Sequence, residues 1–158
     1  MWRLVSAGVR QDALHALALT VVAVVLHGTW ENVQCPIFFE HGSYDASPRG
    51  MALATLGDVG ITWALYAAVA AVSWQWRWSA QRWSWRQWAT LLGLALVLGW
   101  SIETRALALN RWSYKAHTPL VPGTSVSVIP ILQLLVLTPL VFRLACFVSS
   151  RKRAVSGR

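Results

Sequence analysis

The sequence predicts an all-α fold: an integral membrane four-helix bundle, running up and down, with both termini in the cytoplasm. Three observations predict it. Hydrophobic residues make up 56% of the 158 residues and charged ones only 13%, against about a quarter charged in an ordinary soluble domain. The charges are bunched, leaving uncharged runs at 13–30, 59–76, 87–102 and 116–142, of 18, 18, 16 and 27 residues. Each approaches the roughly 20 residues that cross a bilayer core as a helix. The basic residues that give the net charge of +8 flank these runs, a pattern of membrane orientation and not of nucleic-acid binding. Four spans use most of the chain, which argues against a soluble enzyme, a disordered chain and a separate water-soluble domain, so residues 1–158 read as one membrane domain.

The first span is expected at about 13–34. Arg3 and Arg10 ahead of an apolar run are how a signal peptide begins, but no small-x-small site follows and the run ends in Trp30-Glu31, so it reads as uncleaved. Pro36 is expected to stop it, and Gly42, Ser43, Asp45, Ser47, Pro48 and Gly50 make the next stretch a loop. The second span, about 51–72, is rich in Ala and Gly, as close packing between membrane helices requires. The third is expected at about 88–109. A polar segment with Pro119, Pro122 and Gly123 follows, and the fourth span runs from about 125 to 148, with Pro130 near its first turns and Pro139 inside it, where a kink is expected.

Orientation follows from the basic residues. Ten of them, Arg3, Arg10, Arg77, Arg82, Arg86, Arg143, Arg151, Lys152, Arg153 and Arg158, fall on the side of the termini, and four, Arg49, Arg105, Arg111 and Lys115, on the other. The positive-inside rule places the termini in the cytoplasm, in a membrane of the bacterial inner-membrane type. Cys35 and Cys146 border opposite ends of their spans, so no disulfide is expected between them.

The residues that can carry chemistry lie in one layer. Glu31 is three residues before the end of span one, Asp58 seven residues into span two and Glu103 six before the end of span three; at about 1.5 Å per residue all three sit within roughly 10 Å of the outer boundary. Gln133 on span four falls at a similar depth. Charge inside a membrane is costly, so such groups face the bundle interior. Helical spacing agrees, because His27, Glu31 and Gln34 share a stripe, as do Thr55, Asp58 and Thr62, and Trp100 and Glu103. Three carboxylates in one layer repel one another, and a neutral carboxylic acid beside an ionised one is the pairing that acid–base chemistry needs. Glu31, Asp58 and Glu103 are therefore the candidate catalytic residues, with His27, Trp30, Gln34, Trp100 and Gln133 as candidate ligand contacts. A metal bound by His27, Glu31, Asp58 and Glu103 is a further reading, but one histidine among carboxylates is a thin signature, and no metal or cofactor is assigned. His117 reads as a solvated or interfacial residue.

Six of the 11 tryptophans, Trp74, Trp76, Trp78, Trp83, Trp85 and Trp88, interleave with Arg77, Arg82 and Arg86 between spans two and three. An anchor lying along the inner membrane surface, outside any pocket, is the economical account. A stacking platform for single-stranded nucleic acid uses the same residue types, but both ends of the segment are held at a membrane, so no nucleic-acid partner is expected.

The ordered motifs Trp30-Glu31-x-x-Gln34-x-Pro36, Gly57-Asp58, Glu103, Trp112-x-Tyr114, Pro119-x-x-Pro122, Pro130-x-x-Gln133 and Pro139 resemble a family of small bacterial four-span membrane proteins. The resemblance covers roughly 30–142 and implies the fold but no activity; it adds Tyr114 to the candidate ligand contacts. A more distant similarity, in Glu31, Gln34, Pro36, Phe38 and Phe39, is to the emopamil-binding protein and sigma-2 receptor family, which includes sterol isomerases, and it implies pocket chemistry only. Two functions follow as expectations. One is a pocket that binds or transforms an isoprenoid or sterol-like lipid, with membrane lipids and a hydrophobic small molecule as partners. The other is a non-catalytic membrane component whose polar layer is a packing network or an ion relay.

Overall fold

Ser47 and Ser84 cap the starts of two helices. Ser47 Oγ accepts the Gly50 N–H at 3.2 Å with Pro48 in the first helical position, and Ser84 exchanges hydrogen bonds with Gln87 in a capping box. Both arrangements satisfy amide donors that a helix leaves open. The computed structural model describes the backbone of residues 2–41 and 47–156 and the side chains of 9–40 and 47–150. Among these, helix α1 (Trp2–Phe38) leads to strand β1 (Phe39–His41). Then come α2 (Pro48–Ser73), a short 3-10 turn (Trp78–Ala80), α3 (Trp85–Ala108), strand β2 (Trp112–Tyr114) and α4 (Val128–Ser156). Asp45 with the rest of 42–46, and the side chains of Arg3, Arg151, Lys152, Arg153 and Arg158 used in the charge count, lie outside the described residues.

The helices Val9–Phe38, Pro48–Ser73, Trp85–Ala108 and Val128–Ser150 are long and apolar enough to cross a membrane, and the chain is a multispanning membrane protein with the all-α class its sequence predicts. Each helix packs on the next in sequence, and α4 closes on α1. His15 in the first half of α1 contacts Ser149 near the end of α4 at 3.4 Å and Ser79 between α2 and α3 at 3.2 Å. The start of α1 and the end of α4 therefore share one end of an up-and-down bundle.

Element bounds differ from expectation where local hydrogen bonds decide them. α1 continues two residues past Pro36 because its last carbonyls find partners elsewhere. Lys115 Nζ donates to the Pro36 carbonyl at 2.5 Å, while the Lys115 N–H and Thr118 Oγ1 donate to that of Phe38 at 3.0 and 2.7 Å. α4 starts three residues later than expected. Residues 120–127 first fold back on themselves, Val121 N–H donating to the Val126 carbonyl at 2.8 Å around Gly123 at φ +76°. Two stretches expected to be plain loops pair as β1 and β2, antiparallel, with Phe39 opposite Tyr114.

The tryptophan segment corrects a second expectation. Trp74, 93% exposed, and Trp85, 75%, fit a surface anchor, but Trp78 is fully buried and Trp83 nearly so. Their rings lie 5.0 Å apart, and Trp78 also packs on Tyr66 and Phe142, at 5.4 and 5.3 Å. Trp78 Nε1–H donates to the Tyr66 carbonyl at 3.2 Å and Trp83 Nε1–H to that of Ser79 at 3.1 Å, so neither burial strands a donor. The segment folds inward and forms the core of that end. Arg77 is held apart from it by Asp12, 2.5 Å away, and Arg143 stacks over Trp83 at 4.2 Å. Between this tryptophan end and the opposite carboxylate end lie the buried Leu19, Ala23, Leu65, Leu91, Ala95 and Val141. Cys35 and Cys146, at opposite ends, are free thiols.

Candidate functional site

On α1, positions 27, 31 and 34 follow the helical repeat, and His27, Glu31 and Gln34 are all buried. On α2 the same repeat turns Thr55, Asp58 and Thr62 inward, and from α4 Gln133 enters the same space. The amide of Gln133 joins three helices: its Nε2 donates to Asp58 Oδ2 at 2.7 Å and to Glu31 Oε1 at 3.0 Å. Those two bonds use both protons of the nitrogen, so His27 Nδ1, at 3.3 Å, is the weakest of its contacts. Gln34 Nε2 likewise donates to Glu31 Oε1 at 2.7 Å and to Gln133 Oε1 at 3.0 Å, and its own oxygen accepts Trp30 Nε1–H at 2.7 Å.

The direction of this network is fixed from Trp30 through Gln34 to the carboxyls. Glu31 Oε2 is left with the Cys35 thiol, 3.3 Å away, and the Glu31 and Asp58 carboxyls meet at the one Gln133 nitrogen that donates to both. His27 Nε2 meets Thr62 Oγ1 at 3.0 Å, which orients the ring behind the pair.

Glu103 stands across the space on α3, held by a different set of donors. Tyr114 OH and Trp112 Nε1–H, the latter at 3.3 Å, both donate to its Oε2. Trp112 and Tyr114 are two residues apart in a strand and so share a face, which is why one short strand supplies both. Burial first, and then the Glu103 carboxyl, hold the Tyr114 phenol above its ordinary range, so it remains a donor.

A cavity of about 360 Å³ lies between the two sets, lined by Glu31, Gln34, Asp58, Glu103 and Gln133 on its polar side and by Leu53, Ala54, Ile61, Ile102 and Leu134 on its apolar side. This is within the size range of small-molecule sites. Leu53, 57% exposed on α2, and Ile102, 37% on α3, place its mouth along the groove between those helices.

The three carboxyls expected to converge do line one cavity. Trp100 does not join them: it is 37% exposed and points away, because α3 turns Leu91, Ala95, Gly99, Glu103 and Ala106 inward instead. At Gly99 the helix lies so close to Ile131 that a Cβ would stand 3.4 Å from the Ile131 backbone, and Trp100 is left on the outer side of that contact. Trp30 is a partner of Gln34 and not a wall of the cavity, His27 stands behind the carboxyl pair, and Tyr114 acts through Glu103. The aromatic wall comes from Phe39 and Trp112, and Arg111 adds a cation; none of the three was singled out as a site residue. The Trp-x-Tyr spacing of a strand face was the available signal for Trp112. Among the described residues no group of three His, Cys, Asp or Glu side chains is placed to hold a metal ion. His117 is exposed beside Phe38, 6.0 Å between rings. No protein-family model, curated protein or solved structure matches the chain.

Proposed function

We propose that this membrane protein binds a hydrophobic, isoprenoid- or sterol-like lipid in the carboxylate cavity and exchanges a proton with it. The observation that carries the reading is the convergence of Glu31, Asp58 and Glu103 on one cavity with an apolar wall. The Glu31 and Asp58 pair can give and take a proton at an alkene carbon or give one to an epoxide oxygen, while Glu103, held by Tyr114 and Trp112, faces the developing positive charge. The face of Trp112 assists it. The amide network orients the pair without supplying a reacting group.

A packing network is the second reading, favoured by Gln133, whose amide ties α1, α2 and α4 together, and by the contacts of Gln34 with Gln133 and His27 with Thr62. An ion relay would have to cross a layer that includes the fully buried Leu19, Ala23 and Val141. Lipids co-purifying with the protein, identified by mass spectrometry, test the main reading. Gly57 makes the test specific, because it lines the cavity and an added Cβ meets no atom within 4 Å. Gly57→Leu is expected to leave folding within about 1 kcal/mol, the cost scale of surface changes and helix propensity, and to remove the lipid from the purified protein. Retention of the same lipid by the variant would put the binding site elsewhere.

The same proposal sets the carboxylate end on the extracytoplasmic side and both termini in the cytoplasm, in a bacterial inner-membrane type of bilayer. A reporter fused after residue 158 should read as cytoplasmic; an exported signal reverses the orientation. The likeness to small bacterial four-span proteins belongs to this proposal too.

A further inference from the structure

The tryptophan end of the bundle carries the opposite charge to the carboxylate end. Among the described residues Asp12 is the only acid there, and Arg77 already holds it. Arg82 and Arg86, on either side of the Ser84 cap of α3, and Arg143 on α4 are exposed and make no ion pair among the described residues. Arg143 is held in place. Its guanidinium lies 4.2 Å over the Trp83 ring, and its Nη1 donates to the Gln81 carbonyl at 3.4 Å. Trp83 is fixed in turn by the rings of Trp78 and Trp88, at 5.0 and 4.7 Å, and by the Ser79 carbonyl. The bond to Gln81 sets Arg143 one residue from Arg82, with Arg86 in the first turn of α3. Cations gathered beside the positive end of a helix are unfavourable until an anion joins them. The level is that of lipid head groups, since Trp83 stands two residues ahead of Trp85, where the span of α3 begins. On the membrane side of that level α3 exposes Leu92 and Leu96, and α4 exposes Val136 and Leu140.

From this arrangement we infer that the tryptophan end binds an anionic phospholipid at a defined site, with the phosphate between Arg82 and Arg143, Arg86 beside it, and the acyl chains against the exposed apolar residues of α3 and α4. A guanidinium presents a fork of N–H donors that matches a phosphate. Arg143, already laid on an indole, has little freedom left to lose on binding. A zwitterionic head fits less well, because its ammonium would enter a group of three cations with no free acid to receive it. The site is separate from the carboxylate cavity and does not depend on what that cavity binds.

The test uses the full-length protein in detergent micelles and measures, by native mass spectrometry, the binding of phosphatidylglycerol and of phosphatidylcholine with the same acyl chains, with inorganic phosphate as competitor. Phosphatidylglycerol is expected to bind at one site about tenfold more tightly than phosphatidylcholine, the effect of one charge-assisted contact. Arg82→Gln and Arg143→Gln should each erase most of that preference, and Arg143→Lys, which keeps the charge without the fork, should restore part of it. Arg49→Gln, at an exposed arginine of the carboxylate end, should leave it unchanged, as should inorganic phosphate. Arg82→Gln carries the test should Arg143→Gln unfold on losing its contact with Trp83. Equal binding of the two lipids to the native protein, or an undiminished preference in Arg82→Gln, overturns the site. An equal loss in Arg49→Gln would make the preference an effect of overall charge, and competition by inorganic phosphate would make the site one for free phosphate; either result overturns it too. Gly57→Leu should leave the preference intact, and its loss there would put the phospholipid in the carboxylate cavity instead.

Discussion

Replacing Glu31 with glutamine is expected to keep the bundle folded and to lower turnover of the bound lipid by at least about a hundredfold, the lower end of what a positioned acid–base group contributes. Glutamine presents an oxygen where Glu31 Oε1 now accepts from Gln34 and Gln133, at 2.7 and 3.0 Å. It cannot exchange a proton. Glu31→Ala differs, since it leaves two buried amide donors without their acceptor. At about 1–3 kcal/mol for each unsatisfied group in water-soluble proteins, and less for hydrogen bonds inside membranes, a loss of about 2 kcal/mol is expected. Unfolding in mixed micelles measures the stability arm, and product formation from the co-purified lipid measures the other. A silent Glu31→Gln beside a destabilised Glu31→Ala assigns the layer to packing and removes the proton-exchange function.

Trp78→Ala should cost about 3–5 kcal/mol, the range for deleting a fully buried aromatic side chain. Trp78 is completely enclosed, against Tyr66, Trp83 and Phe142, and its indole N–H satisfies the Tyr66 carbonyl. Trp74→Ala and Trp85→Ala, at exposed positions of the same segment, should change stability by no more than about 0.5 kcal/mol. Thermal unfolding of the three variants in one detergent compares them directly. Equal, small effects would return the whole segment to a surface anchor.

These two tests fall on opposite sides of what a linear reading reaches. Charge-free runs gave the four helices, since a bilayer admits only spans that satisfy their own backbone and bury few charges. They also gave the depth of Glu31, Asp58 and Glu103, because depth along a helix is residue count times a fixed rise. Inward direction was legible for the stripe of His27, Glu31 and Gln34, where three polar residues define a face against apolar neighbours.

On α3 the single Glu103 defined no face, and Trp100 was assigned by proximity to it. The close approach of Gly99 to Ile131 decided otherwise. That is a fact of how α3 meets α4 and is written in neither helix alone. Trp78 and Trp74 likewise have the same composition around them, and only the turn at Trp74, at φ +53°, sends one inward and leaves the other at the surface.

The amino-acid sequence thus determined the class, the four spans and the layer of the carboxyls, because hydropathy and helical rise are local properties. Tertiary structure alone decided that Gln133 joins Glu31 to Asp58, that β1 and β2 pair to bring Trp112 and Tyr114 onto Glu103, and that Arg111 lines the cavity. Each of these depends on how separate elements pack against one another, which no single segment encodes.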